Sequence, residues 1–517
     1  MATARAAHVL RTLAASLAVA LPTSTARAQF YEKVDLGKAS VNAVVEAFDG
    51  DDPRIGSLAA NLAGAGDPSA DALFRAMARG AGPATRVYGV LGQALLSKKG
   101  VDAQLFAALA SADERADVVR EANVSGLLRE TSIAPLLACK DLSEASQLTL
   151  MAELSRRGEP WDASRMREIA ASKDAIAAGF AALLLAAGGN GVDADPKAAA
   201  WGACRARIAA MAPTDRDEAI RAIAEAAMLF DVKPAARRLL ELTDAEGGSD
   251  DARVAAIGAA IRLDTPLGVE AWRARAKANR SQLALMRSAM QLLANAERGL
   301  PPTAFDEVRN GTPALEAIAT AGASLASKAP PADALIGLLE SGHQASAEWA
   351  MVRATELPPE QALPVWKHLL TRLETSDPDD RPTAALISGL ARELVEADPA
   401  AAAALLERLA TEPDLLVAAM QGICDSQAPQ AQEIARARRG SLPRAGEGLA
   451  ALALARRGAP LTDADLDVLG RAGAGGGDLD PSHALQAAWF YARAKGLADG
   501  AIERLAVAPP AQGAKGP

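Results

Sequence analysis

Residues 250–263 read DDARVAAIGAAIRL, and this stretch decides the fold. Val254, Ile257 and Ile261 fall three and four apart, which aligns them on one face of a helix. Ser249 stands where its hydroxyl can accept from an exposed backbone amide. Asp250 and Asp251 occupy the first turn, where the helix dipole favours negative charge. The same design repeats outward. Asp215–Phe230 sets Ile220, Ile223, Ala227 and Phe230 on one face, with Thr214 as the expected N-cap. Ser111-x-x-Glu114 has the form of a capping box ahead of Val118 and Val119. Alanine dominates the chain, and it is the best helix former because it has no side-chain entropy to lose. No run of strictly alternating β-branched residues appears, so no strand is expected.

The helices come in pairs that recur about every 30 residues, within the range that marks stacked repeat arrays. Second helices of successive pairs are expected near Arg86, Val118, Ser146, Asp174, Asp217, Asp251, Gln282, Ser346, Pro382, Pro413, Arg444 and His483. A lone hairpin cannot bury its apolar stripe, so stability must come from stacking on neighbours. The expected fold is all-α, an α-solenoid of about twelve stacked antiparallel helix pairs. Asp-Pro recurs at Asp52, Asp67, Asp195, Asp377, Asp398 and Asp480. Aspartate caps and proline at the first helical position lacks an amide to leave unsatisfied, so these dipeptides read as helix starts.

The organisation follows from composition. Residues 1–28 carry Arg5 and Arg11, an apolar run from Leu13 to Leu21 and a small-x-small end at Ala26-Arg27-Ala28, the pattern of a secretory signal peptide. Residues 29–66 are less periodic and read as a cap on the first hairpin. Residues 67–298 form the first half of the solenoid, 299–313 a Pro/Gly interruption, 314–507 the second half and 508–517 a disordered tail. Gly470–Gly477 reads as a glycine-rich loop. Cleavage after Ala28 makes the protein exported, periplasmic or extracellular. No later apolar run has the roughly 20 residues a membrane span needs.

The pairs resemble HEAT-type helical repeats, whose first helix often contains a proline and whose second often opens Asp-x-x-Val-Arg. Ile133-Ala134-Pro135-Leu136-Leu137, Val232-Lys233-Pro234-Ala235 and Leu363-Pro364-Val365 carry the first feature. Asp117-Val118-Val119-Arg120 and Asp251-Ala252-Arg253-Val254 approximate the second, the latter with valine and arginine reversed. The resemblance covers roughly residues 83–505 and implies a curved helical solenoid used for binding. Tetratricopeptide-like packing is a rival, since Ala484–Gly496 is similar to those repeats as well.

Charge and residue usage narrow the chemistry. The formal charge is −9, and three units more negative without Arg5, Arg11 and Arg27. Basic residues are scattered singly, so the patch that nucleic-acid phosphates require is missing. Cys139, Cys204 and Cys424 are far apart and odd in number, and read as buried free thiols rather than a disulfide framework. Beyond residue 28 the histidines are His343, His368 and His483, in different repeats. They read as surface or helix-end residues with no metal-ligand spacing around them. Acidic clusters such as Asp193-Ala194-Asp195 and Asp478-Leu479-Asp480 lack the spacing of a calcium loop and read as caps and turns.

Glu340-Ser341-Gly342 resembles the Glu-Ser pair of lytic transglycosylases, but the Gly-Leu-Met-Gln segment of that family does not follow. No catalytic residue, cofactor or metal site is expected. Trp489, Phe490 and Tyr491 are the candidate interaction residues, because three consecutive helical positions fan around the axis and one can face a partner. The expected function is an exported, non-catalytic protein-interaction scaffold with unknown protein partners. A cell-wall glycosidase on a helical superhelix and a structural envelope component are the alternatives.

Overall fold

The computed structural model describes residues 35–49, 54–187, 194–243, 249–278, 282–309, 312–375, 384–476 and 478–506. The leader at 1–28, the tail at 508–517, and Asp52, Asp193 and Asp377 lie outside these residues. The protein is all-α, and the described residues include no strand. No helix among them is long and apolar enough to cross a membrane.

A helix stands at each of the twelve expected second-helix positions, among them Pro83–Ser97, Pro213–Leu229, Asp250–Leu263, Pro413–Asp425, Arg444–Arg456 and Pro481–Ala494. Ser249 caps Asp250–Leu263 as expected, its hydroxyl accepting from the Ala252 amide at 3.2 Å. Thr214 is not a cap. The helix starts two residues earlier than expected, at Pro213 with Ala212 as its N-cap, because proline's fixed φ suits the first helical position and leaves no amide exposed. Ser111 accepts from the Glu114 amide at 3.1 Å, but Glu114 reaches the amide of Ala110 rather than that of Ser111. Its other oxygen pairs with Arg86 at 2.8 Å. The reciprocal capping box belongs instead to Thr462 and Asp465.

Two compact units divide the chain, residues 142–357 and, as the other, residues up to 141 together with those from 358 onward. In the continuous unit, Ala175–Ala187 packs on Pro213–Leu229, that helix on Asp250–Leu263, and that one on Gln282–Leu293. The intervening helices Ala235–Thr243 and Thr265–Ala278 close the hairpins alongside. The shared core is Ile220, Ile223, Ala227, Ala256, Ala260 and Ile261, all essentially buried. Ala175–Ala187, the most apolar helix by sequence, is an interior helix of this stack. Gly299–Pro313 lies inside this unit and carries a 3-10 turn, Pro302–Val308, which buries Ala304, Phe305 and Val308.

The second unit is discontinuous. Its C-terminal part repeats the stack, with Ala384–Ala397, Pro413–Asp425, Arg444–Arg456 and Pro481–Ala494 each packed on the next. Gly422 makes the first of these contacts possible, since a Cβ there would fall 2.0 Å from the Ser388 carbonyl oxygen. The N-terminal helix Leu36–Phe48 packs against Pro481–Ala494 and Ala498–Ala506, and Ala70–Met77 packs against Ala498–Ala506. The segment read as a cap on the first hairpin therefore also covers the last one. Within the segment read as a glycine-rich loop, residues 472–476 form a wide turn on the preceding helix, broken at Gly475, whose φ is +79°. Gly473 allows it, since a Cβ there would meet the Ala488 backbone at 2.5 Å.

Candidate functional site

Trp489, Phe490 and Tyr491 are all buried, at 0%, 3% and 8% exposure. The fan around the axis holds, but the neighbours are in the chain itself: Pro481–Ala494 is enclosed by Leu36–Phe48, Ile55–Gly64, Arg444–Arg456 and Asp463–Arg471. The Trp489 indole donates to Asp67 Oδ2 at 2.8 Å, and Arg493 pairs with the other oxygen. Ser69 adds its hydroxyl and its amide to the same carboxylate. Burial works to raise the Asp67 carboxyl, but the bonds from Ser69, Arg493 and Trp489 outweigh it and hold the group below its ordinary value. Asn61 donates to the Ser482 hydroxyl at 2.8 Å, and Arg504 to Asn42 at 2.7 Å, along the same seam. Asp67, read only as helix punctuation, is thus the buried anchor between the first and last helices.

The chemistry-bearing cluster lies at one end of Pro481–Ala494. Asp480 is the N-cap, accepting from the amides of Ser482 at 3.0 Å and His483 at 3.2 Å. Its second oxygen pairs with His483 Nδ1. The other ring nitrogen, Nε2, lies 3.0 Å from Asp425 Oδ1, and that oxygen also accepts from Arg456 at 2.9 Å. Asp425 and Cys424 end the Pro413–Asp425 helix, and Arg456 ends Arg444–Arg456. Arg456 also donates to the Cys424 carbonyl at 3.0 Å and touches the Cys424 sulfur at 3.8 Å.

Asp425 stands at a helix C-terminus and His483 in a helix's first turn, the end that each charge disfavours. Their mutual contact offsets this. Burial pushes the His483 imidazole down, but Asp425 and Asp480 together carry it well above its ordinary value. Burial likewise raises Asp425, and His483 with Arg456 outweighs it, leaving the carboxyl at about 2. Burial lifts the Cys424 thiol above its usual range against the opposing charges of Arg456 and His483.

Sequence reading placed His483 at a helix end, which holds, but missed its burial at 4% exposure. Asp480, three residues before it, was the available signal. The Cys424–Asp425 pair is some 58 residues away in sequence and gave none. Cys204 is a buried free thiol, pushed up to about 11 by burial, whereas Cys139 is only half-buried just past the short helix Ile133–Leu137. Glu340 is exposed at the C-terminal end of Pro331–Leu339. His343 is the N-cap of Gln344–Glu356. Asp478 and Asp480 belong to the turn and cap before Pro481–Ala494. Two open depressions in the 142–357 unit share Pro266 and Glu270 and mix Lys233, Arg237 and Arg273 with acidic groups, which selects no ligand class.

No protein-family model, no curated protein and no solved structure matches the chain.

Proposed function

We propose that the protein is an exported helical-repeat scaffold, HEAT-like in construction, that binds other proteins and does no chemistry of its own. The observation that supports this is the recurring contact between alternate helices, seen from Ala175 to Leu293 and again from Ala384 to Ala494. Such stacking spends the apolar faces on neighbouring helices and leaves long polar helix surfaces for recognition. The Trp489 and His483 clusters, the richest in functional groups, are engaged in intramolecular bonds. Export rests on the basic start, short apolar core and Ala26-Arg27-Ala28 end of the leader.

The test has two parts. Crosslinking in intact cells, followed by reconstitution with the purified candidate, is expected to yield a stoichiometric complex. Recovery of no reproducible partner, together with peptidoglycan release abolished by Glu340→Gln, would establish the enzyme instead. N-terminal sequencing of the exported protein is expected to begin at Gln29; an uncut N-terminus contradicts export by this route.

A further inference from the structure

Cys424, Asp425 and His483 bring one sulfur, one oxygen and one nitrogen donor within 4.8 Å of one another. Cys424 and His483 are buried, at 0% and 4% exposure, among largely apolar side chains such as Ile423 and Leu485. Burying groups of this kind is costly unless they are paired, so their convergence from two helices 58 residues apart calls for a reason.

We propose that Cys424 Sγ, Asp425 and His483 Nε2 form a binding site for a divalent transition-metal ion of the zinc type. Three features of the geometry point to it. The donor set joins a soft thiolate and a borderline imidazole to one hard carboxylate, which suits zinc or cobalt better than calcium or magnesium. Asp480 fixes the histidine from behind. It accepts from the backbone amides of Ser482 and His483 and from the ring at Nδ1, so that once Nε2 gives up its proton the ring presents that nitrogen to the other two donors. This is the carboxylate–histidine support that orients metal-bound imidazoles. Finally, Asp425 and Asp480 are partly open to solvent, at 35% and 42% side-chain exposure, and give an ion a path inward.

Arg456 is the competitor. Its guanidinium already touches Asp425 and the Cys424 sulfur, and an ion can take that face only if Arg456 retreats onto the Cys424 carbonyl oxygen that it also holds. With three protein donors, one coordination position is left to water. Coordination requires the thiol and the imidazolium to release their protons, so binding weakens as pH falls.

The experiment uses the full chain, stripped with chelator and titrated with Co²⁺. One Co²⁺ per chain is expected, with a thiolate-to-metal absorption band that Zn²⁺ displaces. Cys424→Ser abolishes the band and Cys139→Ser leaves it intact. Asp480→Asn weakens affinity by about 10–100-fold, as loss of an orienting carboxylate does. Arg456→Gln tightens it, the opposite of what a pure ion-pair cluster predicts. The wild-type titration decides whether a thiolate site exists, and Cys424→Ser of unchanged helicity decides which thiol makes it. A wild-type protein with no thiolate band overturns the site, and so does a band that survives Cys424→Ser with unchanged helicity by circular dichroism.

Discussion

The two units use the same helical material and close their cores in different ways. In residues 142–357 the long helices meet the next or next-but-one element along the chain, and Trp201 and Trp272 find their partners Glu241 and Ser288 within the same run. In the other unit the helices between Leu36 and Met77 share a core with Pro481–Ala506, and the bonds Asn61–Ser482 and Trp489–Asp67 span more than 400 residues. A periodic stack can grow from local contacts. A core joining the two ends must first close a loop containing most of the chain, an entropy cost that only dense, specific contacts repay. This accounts for the burial of Trp489 and Asp67 there, in one bonded group that the exposed Arg493 closes from the solvent side.

That contrast can be broken most forcefully at Trp489. Trp489→Ala removes a fully buried indole, which typically costs about 3–5 kcal/mol, and leaves Asp67 short of a donor. Hydrogen exchange is expected to show Leu36–Met77 losing protection along with Pro481–Ala506. Trp272→Ala, of similar cost, is expected to loosen only the 142–357 unit. Protection lost around Trp489 but retained over Leu36–Met77 would separate the two ends.

Asp67→Asn comes next, at about 1.5–3 kcal/mol for lost bonds to a charged group. The carboxyl is held below its ordinary value in the folded chain, so its contribution is present above that ordinary value. It disappears as pH falls through the folded one. Chemical denaturation across the acid range should therefore show a shallower pH dependence in Asp67→Asn than in wild type; equal slopes contradict the assignment.

Gly422→Ala and Gly268→Ala probe close packing in each unit, since a Cβ would fall 2.0 Å from Ser388 oxygen and 2.2 Å from Ile261 nitrogen. Overpacking of this kind costs about 1–3 kcal/mol. Each is expected to destabilise its own unit, measured by urea midpoint, and equal stability to wild type would show that the backbones can part freely. The smallest effect belongs to Arg120→Ala. Its pair with Asp117 is solvent-exposed, and exposed pairs contribute about 0–1 kcal/mol.

The helical class was legible because spacing of Val254, Ile257 and Ile261 needs only the local period. Ser249 and Asp398 were legible as caps for the same reason, each bonding an amide three residues on. Trp489, Phe490 and Tyr491 read as interaction residues because their fan around the axis is visible in sequence, whereas the partner of Trp489, Asp67, lies at the far end of the chain, where no periodicity reaches. Asp480 and His483 show the limit sharply. Their i,i+3 relation is visible in sequence, whereas Cys424, Asp425 and Arg456 join them only through helix packing. The glycine run at 470–477 read as a loop because glycine disfavours helices. Gly470 and Gly473 in it let this segment approach Tyr491 and the Ala488 backbone closely.

The central claim is that the first and last helices share one core, and a pair of engineered thiols tests it most directly. In a background with Cys139 and Cys204 changed to Ser, Asn61→Cys with Ser482→Cys places two thiols where the native side chains lie 2.8 Å apart. Mild oxidation is expected to give an intramolecular disulfide in nearly every chain, seen as a faster-migrating monomer without reductant. Thiols that stay free in the folded protein, or link only between different molecules, would contradict it.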